Sequence, residues 1–234
     1  MDINVIYEDN HIIVCIKPAG VLSQAGEMGL DDMVNLLKQY LKTKYDKPGN
    51  VYLGLVHRLD LNVEGIMVFA KTSKAASRLS EQVRERDFSK HYLAIVLGSI
   101  PNSSGYYSDY LAKDEEKREA IIANSHEGKL ARLSFEVIDK ITIEDQECSL
   151  VKIELETGRF HQIRFQMAYH GNPLLGDTKY GKMSKNPDFF LGLYAYRIEF
   201  FHPISKELMS FKSKPENRYF NMFKGLEKID WRTK

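Results

Sequence analysis

The sequence predicts an α+β fold in which a largely antiparallel or mixed central sheet is flanked by a few helices. Segments with strand-like alternation outnumber those with helical spacing, and the two kinds do not alternate regularly along the chain. The 234 residues are 43% hydrophobic and 28% charged, enough to bury one sizeable core or two small lobes sharing a cleft. No internal repeat, low-complexity tract or linker interrupts them, so residues 1–234 are expected to form one domain.

The elements follow in order. Val5-Ile6-Tyr7 and Ile12 to Ile16 read as two short strands around the polar turn Glu8 to His11, and Lys17-Pro18-Ala19-Gly20 ends the second. Met33, Leu36, Leu37, Tyr40 and Leu41 recur at helical spacing within Leu30 to Lys42, with Asp31 and Asp32 where an amino-terminal turn favours acids. The segment Val51 to Val56, then His57-Arg58-Leu59-Asp60, then the strand Ile66 to Ala70 place Asp60 in a loop between strands. Ser73 reads as the cap of a helix carrying Ala75, Leu79 and Val83, which leads into a strand from Tyr92 to Leu97. Residues 102–128 are polar, and the mixed charges of Lys113 to Glu119 suit a solvated hairpin. Alternation marks strands Ala131 to Ile138 and Cys148 to Leu155. The Thr157-Gly158 turn then opens a short helix from His161 to about His170, and a strand from Leu193 to Phe201 and a helix near Asn217 to Leu226 complete the chain.

Composition narrows the partners. The 33 basic and 32 acidic residues give a net charge of +1, so any RNA contact must be a local patch rather than a global field. Cys15 and Cys148, each in an apolar strand pattern, suit buried packing in a reducing cytoplasm rather than a disulfide framework. The Met1-Asp2-Ile3-Asn4 start lacks the pattern of a secretory signal, and no run approaches the roughly 20 apolar residues of a membrane span. A cytoplasmic location is expected.

Three segments carry the chemistry: His57 to Asp60, Lys90-His91-Tyr92, and Thr157 to Arg164. A carboxylate, a phenol and a guanidinium suit an enzyme that uses aspartate as nucleophile and arginine to keep it ionised. Simpler readings stand beside this one. Asp60 with Arg58 also fits a surface ion pair, Tyr92 a packed strand residue, and His161 with Gln162 the first turn of a helix. Arg164 is less ordinary, because a charge beside Ile163 and Phe165 requires a buried anionic partner, for which Asp60 is a candidate. The spacing of His161 and His170 fits no common zinc motif, and no metal is expected. Lys71, Lys74, Arg78, Arg84, Arg86 and Lys90 crowd the helix between Asp60 and Tyr92. They read as a solvated face or, if Asp60 acts on RNA, as a phosphate track.

The whole chain resembles the pseudouridine synthases of the RluA type, enzymes that isomerise uridine in structured RNA. The resemblance rests on ordered blocks: Ile6 to Val14 with Lys17 to Gly20, His57 to Asp60 through Gly65 and Phe69-Ala70-Lys71, and Lys90 to Ala94. It continues through Thr157 to Arg164, Gly171-Asn172-Pro173, Gly176-Asp177, Tyr180-Gly181, and Leu193 to Phe201 with His202-Pro203. The chain has Val63-Glu64-Gly65 where that family commonly has Thr-Ser-Gly, and Gln166 where it often has a second histidine. The resemblance implies the pseudouridine synthase fold with its catalytic cleft, Asp60 as nucleophile, and Tyr92 and Arg164 as catalytic partners. It implies substrate contacts from His57, Arg58, Lys90, Arg159, His161 and Gln162, with His57 and Arg58 placed to fill the space left by a flipped base. The expected substrate is a stem-loop of ribosomal or transfer RNA, bound by a monomer that needs no cofactor. Because the pattern begins at residue 5, no separate amino-terminal S4 RNA-binding module is expected. Two competing readings are a non-catalytic RNA chaperone on the same fold, and a hydrolase of glycosidic bonds in which Asp177 is the second acid.

Overall fold

Continuous apolar runs in the first ninety residues build the sheet of one unit in a computed structural model that describes residues 3–26, 29–181 and 190–232. This unit is Met1–Ser89 with Arg197–Ser213 and Arg232–Lys234, and the rest of the chain, Lys90–Tyr196 with Lys214–Trp231, folds as a second.

In the first unit β1 (Val5–Glu8) and β2 (Ile12–Lys17) form an antiparallel hairpin. Asp9 closes it, because its Oδ1 accepts the amides of His11 at 2.7 Å and Ile12 at 2.8 Å. Every residue of β2 is buried, as expected of a strand covered on both faces. It pairs antiparallel with β4 (Glu64–Ala70), from Ile12 opposite Ala70 to Lys17 opposite Gly65. The segment Val51 to Val56 contributes only the two-residue β3 (Gly54–Leu55), also on β4. Gly65 has φ 137°, a conformation open to glycine and strained for other residues, where β4 leaves the Asp60 loop.

Two helices join this sheet. The first, α1, spans Met33–Lys44 and starts three residues later than the apolar spacing suggests, because Asp32 is its cap and accepts the Asn35 amide at 3.0 Å. The second, α2, spans Ser73–Glu85 and is capped by Thr72 rather than Ser73. Thr72 is the residue with extended backbone, and its hydroxyl accepts the Ala75 amide. Ile12, Val14, Ile66, Val68, Leu79, Phe200 and Phe211 share the core, where Phe88 stacks on Phe200 at 5.4 Å.

Glu8 anchors the rim of this unit through Lys44 at 2.7 Å, Lys71 at 2.6 Å and the Tyr45 hydroxyl at 2.8 Å. Burial alone would raise its carboxyl, but these donors outweigh it and hold the group at about 2. The depressed value means that the stabilisation is complete above the ordinary carboxylate range and is lost as pH falls towards 2. Glu8→Gln is therefore expected to cost about 2 kcal/mol at neutral pH and to flatten the acid limb of stability below about pH 4.5. Denaturant titrations at several pH values check this, and parallel acid limbs for variant and wild type would refute it.

In the second unit β5 (Ser89–Leu97), β6 (Ser104–Asp114), β7 (Glu119–Ile122), β8 (Lys129–Ile143) and β9 (Gln146–Leu155) are ordered β5-β9-β8-β6-β7, each neighbour antiparallel. The charged run is the tip of the β6–β7 hairpin. β8 continues five residues past Ile138 because a bulge between Val137 and Asp139 breaks the alternation without ending the strand. Its turn residues Glu144 and Asp145 both have positive φ, the pattern of a two-residue hairpin.

The carboxy-terminal helix expected near 217–226 is instead α4 (Arg218–Asn221) followed by a 3-10 helix, Lys224–Lys228. Gly225 decides this. Its amide donates to Asp139 Oδ2 at 2.7 Å, and a Cβ there would stand 2.8 Å from the Ile138 carbonyl oxygen, so the chain docks on the bulge instead of continuing as a helix. Leu93, Ile95, Leu150, Tyr194, Tyr196, Phe220, Phe223 and Leu226 form this unit's core. β10 (Leu193–Phe201) runs as the sequence indicates, and its later residues, in the first unit, pair with β11 (Leu208–Lys212), a strand that the sequence pattern does not announce. Both cysteines are buried and unbridged, and burial pushes the Cys15 thiol up to about 12. Among the described residues no helix is long and apolar enough to cross a membrane.

Candidate active site

The Asp60 loop, between β3 and β4, is held by its backbone on several sides. The Ser23 hydroxyl donates to the Leu59 carbonyl at 2.8 Å and accepts the Leu59 amide at 3.0 Å. The Gly20 amide donates to the Leu61 carbonyl at 2.9 Å, and the Val63 amide to that of Asp60 at 3.1 Å. Leu59 and Val63 are buried while Asp60 is half-buried, so apolar anchors on either side fix a carboxylate that retains access to solvent.

Beneath this loop lies Lys17, wholly buried at the end of β2, with its Nζ donating to the carbonyls of Pro18 at 2.8 Å, Val21 at 2.7 Å and Leu61 at 3.0 Å. Burial pulls its ammonium down to about 8, against the charges of Asp60 and Glu64, which favour the protonated form. In the sequence Lys17 stands only as part of a strand end. Its single charge closing an apolar run was the available signal of a buried, multiply bonded cation. His57 is buried too. Its Nε2 accepts the Val68 amide at 3.1 Å, which fixes the proton of a neutral ring on Nδ1, and the ring packs 5.2 Å from Phe88. Of the pair before Leu59, Arg58 is the one presented to solvent.

The second unit holds the other residues. Tyr92 is buried on β5 opposite Ile153 of β9, on the same face as Lys90. α3 spans Gln162–Tyr169, and His161, ahead of it, has φ 50° and ψ 26°, a left-handed conformation uncommon outside glycine. Tyr180 supports that turn. Its hydroxyl accepts the Ala120 amide at 2.6 Å and is hydrogen-bonded to His161 Nδ1 at 2.8 Å, and burial pushes the phenol up to about 12. Phe160 stacks on the His161 imidazole, 3.8 Å between ring centres.

Arg164, on α3, has the buried anionic partner that its apolar neighbours require. Within this unit that partner is Asp177, bonded from Nε to Oδ2 at 2.8 Å and from Nη2 to Oδ1 at 2.9 Å. Burial would raise the Asp177 carboxyl, but Arg164 and the amides of Lys179 and Tyr180 outweigh it and hold the group below the usual carboxylate range. A general acid for glycoside hydrolysis needs the opposite shift, so Asp177 does not suit the hydrolase reading.

Gln162 and Gln166 belong to one buried hydrogen-bond network. Gln162 Oε1 accepts the Thr157 hydroxyl at 2.8 Å and the Arg159 amide at 3.0 Å, while its Nε2 donates to the Arg132 carbonyl and to Gln166 Oε1, both at 3.0 Å. Gln166, fully buried, passes the chain of bonds to Asp109 Oδ2 at 2.6 Å. The amide side chain at 166 thus completes a satisfied polar network. Arg159 is fixed by its Nε donating to the Leu130 carbonyl at 2.8 Å.

A family model described as RNA pseudouridylate synthase matches residues 11–169. The chain is 35% identical over 217 residues to the dual-specificity RNA pseudouridine synthase RluA of Haemophilus influenzae, covering 92% of this chain and 94% of that protein. It is 34% identical over 234 residues to an uncharacterized RNA pseudouridine synthase of Aquifex aeolicus, covering 96% and 73%. Ribosomal large subunit pseudouridine synthase D of Vibrio cholerae is 34% identical over 225 residues. The chain spans from 60% to 94% of the length of such relatives. The structure of human RNA pseudouridylate synthase domain containing 4 shares the fold, with TM-score 0.75 at 21% identity over 96% of this chain and 92% of that one. Asp60, Tyr92 and Arg164 all fall inside the matched region, and the chain belongs to the RNA pseudouridine synthase family, isomerases of the RluA and RluD type.

Proposed function

We propose that the protein converts specific uridines of structured ribosomal or transfer RNA to pseudouridine with Asp60 as nucleophile, acting in the cytoplasm as a monomer without metal or cofactor. The observation that carries the reading is the Asp60 loop, clamped through its backbone at Leu59, Leu61 and Val63 and set above the buried ammonium of Lys17. Such a carboxylate is positioned before substrate arrives, so little reorganisation is left for the reaction. The bond between uracil N1 and ribose C1′ breaks, the base turns, C1′ joins C5, the C5 proton leaves to solvent and N1 gains a proton. No redox or energy source is needed.

Arg164 is the permanent cation of this reading, and its bond to Asp177 fixes its orientation. Arg58, exposed beside the nucleophile, fills the space left when the uridine swings out of its stack, a movement costing about a few kcal/mol. Tyr92 offers a ring face to the base and a hydroxyl to move a proton. Tyr92→Phe is expected to keep RNA affinity and lower turnover about a hundredfold. Wild-type rates in this variant would remove the hydroxyl from the mechanism.

The direct test is tritium release from RNA labelled at uracil C5 and made without modification. Release without free uracil supports isomerisation. Free uracil would indicate hydrolysis, and RNA binding with no release would leave a chaperone on this fold.

A further inference from the structure

Among the described residues Lys90 is a cation without a counter-ion. Burial, and then the charge of Arg159, push its ammonium below the usual lysine range, and among the described residues it has no hydrogen-bond or ion-pair partner. Gly158 lies against it, so closely that a Cβ would stand 3.1 Å from Lys90 Nζ. Next in the chain after Gly158, the Arg159 guanidinium is tied through Nε to the Leu130 carbonyl, and its other N–H groups have no partner among the described residues.

The nearby acids do not neutralise this pair. Glu154, opposite His91 on β9, faces the other side of the sheet, and Glu156 is exposed and engaged by the Tyr106 hydroxyl. Two like charges held together at a half-buried position cost stability, and the strain is relieved when an anion binds between them. Lys90 also shares its face of β5 with Tyr92, about 6.6 Å along the strand, so one nucleotide can reach both.

We propose that Lys90, against Gly158, and Arg159, the next residue of that turn, form a subsite for a phosphate of the RNA backbone adjoining the nucleotide that meets Tyr92. The inference rests on the proposed activity and adds the group that holds the strand in register beside the reacting base. Lys90 and Arg159 are positioning residues; Gly158 is the residue whose small size lets the ammonium reach the turn.

The test uses unmodified large-subunit ribosomal RNA and transfer RNA transcribed with uridine tritiated at C5. Affinities of wild type, Lys90→Gln, Arg159→Gln and Lys90→Arg are measured over a range of potassium chloride concentrations, with thermal melts confirming that each variant is folded. Loss of one phosphate contact lowers the slope of log affinity against log salt by about 0.7 to 0.9. That drop is expected in each glutamine variant, with weaker binding, and not in Lys90→Arg. A merely structural lysine would not change the slope. Unchanged slopes in both glutamine variants overturn the subsite, and tritium release by wild type in the same samples shows that the activity stands without it. Reduced slopes with no wild-type release keep the subsite and remove the enzyme, while a wild type that binds neither RNA overturns both.

Discussion

Asp60→Asn and Asp60→Ala are expected to lose about four orders of magnitude or more in tritium release while remaining folded and binding RNA. The asparagine variant keeps the size of the side chain but removes the nucleophilic oxygen, so its loss reports chemistry rather than packing. The loop is held by the backbone groups of Leu59, Asp60, Leu61 and Val63, all of which survive the substitution. Lys17 is the residue that would register the lost charge. Asp60 favours its protonated form, so its ammonium should titrate below about 8 in either variant. The two variants control for each other, because slow hydrolysis of an introduced amide regenerates aspartate, whereas alanine cannot revert. Substantial turnover in both would end the nucleophile assignment.

The second large effect is expected at Asp177. Arg164 and Asp177 are 12% and 0% exposed at their side chains, and the carboxylate also accepts two backbone amides. Asp177→Asn removes a buried carboxylate that holds Arg164 through two hydrogen bonds and should cost about 3 to 5 kcal/mol in denaturant unfolding. The Asp177 carboxyl is depressed when folded, so its stabilisation is present above the ordinary carboxylate range and is lost as pH falls through the folded value. The variant should therefore lose more stability at neutral pH than in acid. A loss under about 1 kcal/mol, or one independent of pH, would mean that the pair contributes little. Because Asp177 orients Arg164, turnover should fall as well, at temperatures where the variant is still folded.

Residues whose role depends on their own element were legible in the sequence. β2, β4 and β10 appear as apolar runs, and α1 as a helical stripe, since periodicity reports which side of an element is buried. The Asp60 block and the Thr157 to Arg164 block could be recognised because their order and spacing are local properties. Boundaries were less legible. Thr72 and Asp32 cap their helices through backbone geometry that composition does not specify, and β8 outruns its alternation at a bulge.

The sequence by itself determined the family and the α+β class, and it nominated Asp60, Tyr92 and Arg164 as the carboxylate, phenol and guanidinium of the proposed reaction. Only the tertiary structure decided what surrounds them: Asp177 as the partner of Arg164, thirteen residues away, Lys17 under a loop forty-four residues distant at Leu61, and His57 turned inward to the Val68 amide. The reason is physical. A buried polar group must find a partner, but which one it finds depends on where packing places the chain, and that placement is not encoded in any local spacing.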